Sequence, residues 1–144
     1  MPNQKPLVTA ALFCDDVIIG ADGSPTIVRI VDRGSIEIPP QLPANAEPTF
    51  RITAFFAVKS GELRGDHEFT IVVRRPDGKS SALPDKWKVH LDGDETGANL
   101  KVTLGLPAAL FGLYWLELTW QGEVLSRTPF KLSQVSTPNN PPQM

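Results

Sequence analysis

The sequence predicts an all-β protein, an antiparallel β-sandwich of eight or nine strands. Three observations predict it. Apolar residues recur at every second position in one segment after another: Phe50, Ile52, Ala54, Phe56 and Val58; Phe69, Ile71 and Val73; Trp87, Val89 and Leu91; Leu100, Val102 and Leu104. Strand side chains alternate between faces, so each set lines one side. Turn signals separate these segments at spacings of about 8–12 residues, as in a sandwich or barrel. Fourteen Pro and eleven Gly punctuate the 144 residues, and only residues 107–111 leave room for a helical turn. No internal repeat is visible, which argues against a propeller or solenoid.

The elements follow in order. Residues 1–6 are polar and Pro-bracketed and predict a loose N-terminus. The domain proper spans 7–132, and the Pro-rich stretch 133–144 predicts a disordered tail. Residues 7–14 are apolar on both faces, as in a strand inside a packed structure, and a short apolar piece follows at 17–20. Asp22-Gly23-Ser24-Pro25 is turn chemistry, then a strand over 26–31, a turn at Asp32-Arg33-Gly34 and a short strand over 35–38. Residues 39–48 hold four prolines in ten, which forbids helix and central strand and predicts a crossover between sheets. Strands over 50–58 and 67–75 are joined by a polar loop. Pro76-Asp77-Gly78-Lys79 is a turn and 80–85 a loop, before strands over 86–91 and 98–104 joined by a turn at 92–97.

The last two strands, within 112–132, form the central hairpin. Tyr114, Leu116, Leu118 and Trp120 share one face; Glu117 and Thr119 lie on the other. A two-residue turn at Gln121-Gly122 pairs Trp120 with Glu123, Leu118 with Leu125 and Leu116 with Arg127. Phe130 and Leu132 then fall on the wrong face, because a one-residue slip exchanges the faces of a strand. Two devices correct the phase. One is a bulge near Arg127 to Pro129, where Pro129 has no ladder donor; the other is a three-residue loop that sets Tyr114 opposite Phe130. The bulge is favoured. Gly112 stands two residues before Tyr114, the arrangement of the Tyr near the start of strand F in immunoglobulin-like sandwiches, whose hydroxyl bonds back to the preceding backbone. An ordinary core Tyr is the alternative.

The run Ala10-Ala11-Leu12-Phe13-Cys14-Asp15, the strand over 50–58, Pro76-Asp77-Gly78 and the ending from Gly112-Leu113-Tyr114 through Gln121-Gly122 to Phe130 together resemble a bacterial family of small immunoglobulin-like β-sandwich domains of uncharacterised function. The resemblance spans most of 7–132. It implies the fold and a bacterial cytosolic setting, and it lends no catalytic residues.

Composition narrows the function. A net charge of −2 without a basic cluster argues against a nucleic-acid binder, and an apolar fraction of 41% argues against disorder. Cys14 is the only cysteine, so no intramolecular disulfide forms. The apolar run over 7–14 is too short for a signal peptide or a membrane span, and Phe13 is wrong for a lipoprotein box before Cys14. The expected location is cytoplasmic, with no membrane partner.

No catalytic, cofactor or metal residue emerges. His67 and His90 read as outward-facing, with no nucleophile–carboxylate arrangement around them. Cys14 reads as a small core residue. Asp92-Gly93-Asp94-Glu95-Thr96-Gly97 opens like a calcium loop but places Thr96 and Thr103 where EF-hand ligands belong. Asp15, Asp16 and Asp22 form a second acidic group, read like the first as turn chemistry. The stronger signal is apolar residues on faces that should be wet: Leu113, Trp115, Phe55 and Val72. They predict a non-catalytic protein-interaction or assembly module whose partner is another protein or a second copy. A small-ligand or carbohydrate-binding domain stacking its ligand on Trp87 or Trp120 is the alternative.

Overall fold

A computed structural model describes residues 5–37, 48–108 and 110–135. Ten strands run through them: β1 Leu7–Ile19, β2 Pro25–Val31, β3 Arg33–Glu37, β4 Thr49–Lys59, β5 Arg64–Arg74, β6 Ser80–Ala82, β7 Trp87–Asp92, β8 Gly97–Pro107, β9 Gly112–Trp120 and β10 Glu123–Val135. One sheet has the order β2-β1-β4-β8. The other runs β3-β10-β9-β5, and both β6 and β7 pair with the free edge of β5. The fold is an all-β immunoglobulin-like sandwich.

The inner faces follow the expected alternation. Ala54, Phe56, Leu100, Val102, Leu104 and Phe13 from the four-stranded sheet meet Phe69, Ile71, Leu116, Leu118, Tyr114 and Phe130 from the six-stranded one, and all are buried in one cluster. Phe13 and Phe130 touch across the sheets with ring centres 4.9 Å apart. Burial of such side chains is the main stabilising term, about 1.5–3 kcal/mol each.

The strand count exceeds the expected eight or nine for local reasons. β6 lies in a stretch read as loop; its three residues, Ser80–Ala82, are all exposed and carry no apolar alternation. β1 is continuous where two pieces were expected, and β10 continues to Val135, past the boundary placed at residue 132. Parallel pairing with β3 holds that extension, through Lys131 opposite Arg33 and Ser133 opposite Ser35. This parallel pair is a departure from a wholly antiparallel sandwich. The helical turn expected at 107–111 contains a tight turn, with Leu110 N–H donating to Pro107 C=O at 3.0 Å. The expected crossover lies outside the described residues except for Pro48, as does the tail beyond Val135. β3 and β4 do belong to different sheets, so the chain changes sheets between Glu37 and Thr49.

The hairpin turns in two residues. Gln121 and Gly122 both have positive φ, at 50° and 77°, as a type I′ turn requires. A bulge corrects the phase at Leu125, between Val124 opposite Thr119 and Ser126 opposite Leu118, a few residues nearer the turn than Pro129. Phe130 thereby faces Tyr114. Tyr114 is buried, and its hydroxyl donates toward the carbonyls of Leu110 at 2.5 Å and Pro107 at 3.0 Å. This is the immunoglobulin-type tyrosine contact the spacing of Gly112 predicts. Burial raises its hydroxyl pKa.

Candidate functional site

The outer face of the six-stranded sheet is set by the registers of β5, β9 and β10. Arg74 lies opposite Trp115, and Trp115 opposite Pro129. One step along, Val72 lies opposite Glu117, and Glu117 opposite Arg127. Leu113 follows on β9, opposite Lys131. Strand periodicity makes all of these neighbours on one surface.

Glu117 organises the face. It is 3% exposed although it points away from the core. Arg74 Nε donates to Glu117 Oε2 at 2.8 Å, and Arg127 Nε forms an ion pair with the same oxygen at 3.0 Å. A buried carboxylate needs such partners, since burying an unpaired charge costs several kcal/mol. The guanidinium carbon of Arg127 also lies 4.9 Å from the centre of the Trp115 ring, within cation–π range. Trp115 is therefore half-buried, with a cation over its ring.

Of the four residues singled out from the sequence, Leu113, Trp115 and Val72 come together here. Leu113 is 43% exposed. Phe55 does not join them, and the expectation for it is corrected: it lies on the other sheet and is 6% exposed. It packs with Cys14 and Val17, against Leu12, Ile27 and Ala57. In a regular strand Cys14 and Val17 would face opposite ways. The β1–β2 ladder skips the pair Asp15 and Arg29, and Arg29 has φ of 52°, so the strand changes phase there and Val17 joins Cys14 over Phe55. Burial, aided by the nearby Asp16 and Asp15 carboxylates, pushes the Cys14 thiol pKa up.

The residues the sequence did not flag are Arg74, Arg127 and Glu117. The visible signal was Glu117 on the same face as Trp115; the bulge displaced the register that adds Arg127, and the pairing of β5 with β9 adds Arg74.

The histidines divide. His90 faces outward as expected, between Asp66 at 2.8 Å and Asp92 at 3.2 Å. The outward reading of His67 is corrected: it shares the side of Phe69, at the sandwich rim. There its Nδ1 accepts the Trp120 indole N–H at 3.2 Å and its Nε2 lies 3.0 Å from the Arg64 carbonyl. That geometry assigns the neutral tautomer with the proton on Nε2. A cleft of about 370 Å³ opens beside it, lined by Asp66, His67, Glu68, Thr70, Trp120 and the turn residues. Trp120 itself is 7% exposed and packs into the core, which removes it as a stacking platform; Trp87 is partly buried against the same core.

The acidic turns are internally engaged. Asp94 pairs with Arg64 at 3.3 Å, Asp15 with Arg29 at 2.6 Å and Asp16 with Lys101 at 2.9 Å. Lys101, joined by the Val17 N–H, holds the Asp16 carboxyl below its usual range. Asp22 accepts from the Ser24 N–H and hydroxyl. Among the described residues no three His, Cys, Asp or Glu side chains converge as metal ligands.

The model of a family of unknown function, DUF6941, matches residues 9–133. The chain belongs to that family. A search of curated proteins finds no match for this DUF6941 chain. Among solved structures it is similar to an immunoglobulin-like protein from Pseudomonas aeruginosa, over 92% of this chain and 99% of the other, at 12% identity and a TM-score of 0.45. It is similar to a β-glucosidase from Listeria innocua over 91% of this chain and 16% of the enzyme, at 9% identity and a TM-score of 0.48. A third likeness is to an alkylpurine DNA glycosylase from Pseudomonas fluorescens, over 68% of this chain and 27% of the enzyme, at 13% identity and a TM-score of 0.39. The DUF6941 chain thus spans only a small part of either enzyme.

Proposed function

We propose that this DUF6941 chain is a non-catalytic protein-interaction domain that meets its partner, another protein or a second copy, through the outer face of β5, β9 and β10. The observation that carries the reading is Trp115, partly exposed on a strand face, flanked by Arg74 and Leu113 and covered by Arg127. Aromatic residues and arginine are enriched at protein interfaces and at their energetic centres, while lysine and aspartate are depleted. The non-catalytic part is supported by His67, whose two ring nitrogens are both engaged in structural contacts. The near-balanced charge supports a protein partner over nucleic acid. No helix among the described residues is long and apolar enough to cross a membrane. The setting that fits this reading is a bacterial cytoplasm.

Light scattering coupled to size exclusion, on the wild type and on Trp115→Ala, tests the reading. A wild-type oligomer that the substitution dissociates supports self-association through this face. With a monomeric wild type, loss of a co-purifying partner on substitution supports a heterologous interface. Unchanged mass and unchanged partners sink the reading.

A further inference from the structure

We infer that the Arg74–Arg127 pair is built to bind carboxylates, and that the partner it fits is an acidic, extended segment of another protein. The inference rests on the interaction-face reading above and adds the chemistry of what docks there.

The charge balance of the cluster is the first argument. Two guanidiniums meet one carboxylate, so the cluster carries a surplus positive charge. Both reach Glu117 Oε2 through Nε. A guanidinium has five N–H donors, and the terminal Nη edge is the planar fork that grips a carboxylate with two parallel bonds. Neither arginine has a second carboxylate among the described residues, and their side chains are 46% and 52% exposed.

Preorganisation is the second argument. Glu117 anchors both side chains, and the Trp115 ring supports the Arg127 plane. Arginines already held in place lose less conformational freedom when an anion arrives. The surroundings add charge of the same sign. Lys131 lies on this face opposite Leu113 and has no carboxylate partner among the described residues. Val72, Trp115 and Leu113 supply apolar contacts between the cations. An extended peptide presents every second side chain to the surface beneath it. Acidic and aliphatic residues alternating at those positions match this face.

The test uses the whole chain and a fluorescein-labelled peptide of three Glu-Ser-Leu-Ser repeats, followed by anisotropy. Its counterpart has Gln in place of Glu. The Glu peptide is expected to bind at least about tenfold more tightly, and Arg127→Gln and Arg74→Gln are each expected to weaken it by about tenfold, since hydrogen bonds to charged groups have that magnitude. Arg64→Gln, on an arginine at another edge of the sandwich, is expected to leave binding unchanged, and millimolar inorganic phosphate is expected not to displace the peptide. Equal binding of the two peptides, or none by either, overturns the inference on the wild type alone, whatever the variants' stability. Equal loss in Arg64→Gln, or displacement by phosphate, overturns it in favour of unspecific charge or a small-anion site. If Trp115→Ala alters assembly while the two peptides bind alike, the interaction face stands and the acidic preference falls. If Trp115→Ala alters neither assembly nor peptide binding, the face itself falls.

Discussion

Arg127 and Trp115 stand on neighbouring strands with the guanidinium 4.9 Å from the ring centre, while the same guanidinium is tied to the buried Glu117. The aromatic side chain that looks like a bare hydrophobic patch in the sequence is thus one half of a cation–aromatic pair anchored by a carboxylate. A change at any of these residues acts on the others.

Glu117 is expected to show this coupling in stability. Replacing both Arg74 and Arg127 with Met strands a buried carboxylate and is expected to cost about 3 kcal/mol, the low end for a broken buried pair because both arginines are half exposed. Adding Glu117→Leu is expected to restore most of that loss. Urea unfolding of the double and triple variants decides it; a triple variant no more stable than the double would show that the stranded charge is not the cause.

Phe55 and Trp115 are expected to separate stability from association. Phe55 is buried, so Phe55→Ala is expected to cost about 3–5 kcal/mol and leave the mass of the folded protein unchanged. Trp115→Ala is expected to cost less stability and to change either the mass of the folded protein or its capture of a co-purifying partner. Calorimetry with light scattering on both variants checks the pair.

Tyr114→Phe removes the donor to the Leu110 and Pro107 carbonyls and is expected to cost about 1–2 kcal/mol, with no change in the size of the core ring. A midpoint identical to wild type in chemical denaturation would show the contact to be incidental.

Gly97→Ala is expected to be the most damaging of the small substitutions. A Cβ there would lie 2.4 Å from the Val58 carbonyl oxygen, a backbone atom of the β4–β8 ladder that cannot turn aside. A cost of about 1–3 kcal/mol is expected, as for overpacking. Thermal unfolding checks it, and a wild-type midpoint would contradict the close approach.

His90 makes stability depend on pH. Its pKa is raised above the ordinary value, first by the hydrogen bond to Asp66 and also by Asp92, against a smaller opposing effect of desolvation. A group whose folded pKa is raised stabilises fully below its unfolded pKa, near 6.5. That contribution fades as pH rises through the higher folded value. Stability is therefore expected to decline above about pH 6.5 by more in the wild type than in Asp66→Asn. Denaturation midpoints across pH 5 to about 9, with a proton NMR titration of His90, measure both; parallel profiles would remove the Asp66 link.

The sequence by itself determined the class of fold and the alternation that builds both inner faces, and it offered the two-residue turn at Gln121-Gly122 and the tyrosine contact as one of two readings each, between which the structure chose. These are short-range: face follows from period two, and turn type from positive φ at adjacent residues. It also placed Leu113, Trp115 and Val72 on one side of their strands. What only the tertiary structure decided are matters of register and cover. The bulge fell at Leu125, which brought Arg127 opposite Glu117. The phase change in β1 after Cys14, opposite Arg29 of β2, brought Val17 beside Cys14 over Phe55. β3, read from the sequence only as a short strand over 35–38, paired in parallel with β10 and carried that strand to Val135. Each of these depends on which strands lie beside one another. Periodicity says which way a side chain points along its own strand, but only the neighbouring strand decides what it meets there.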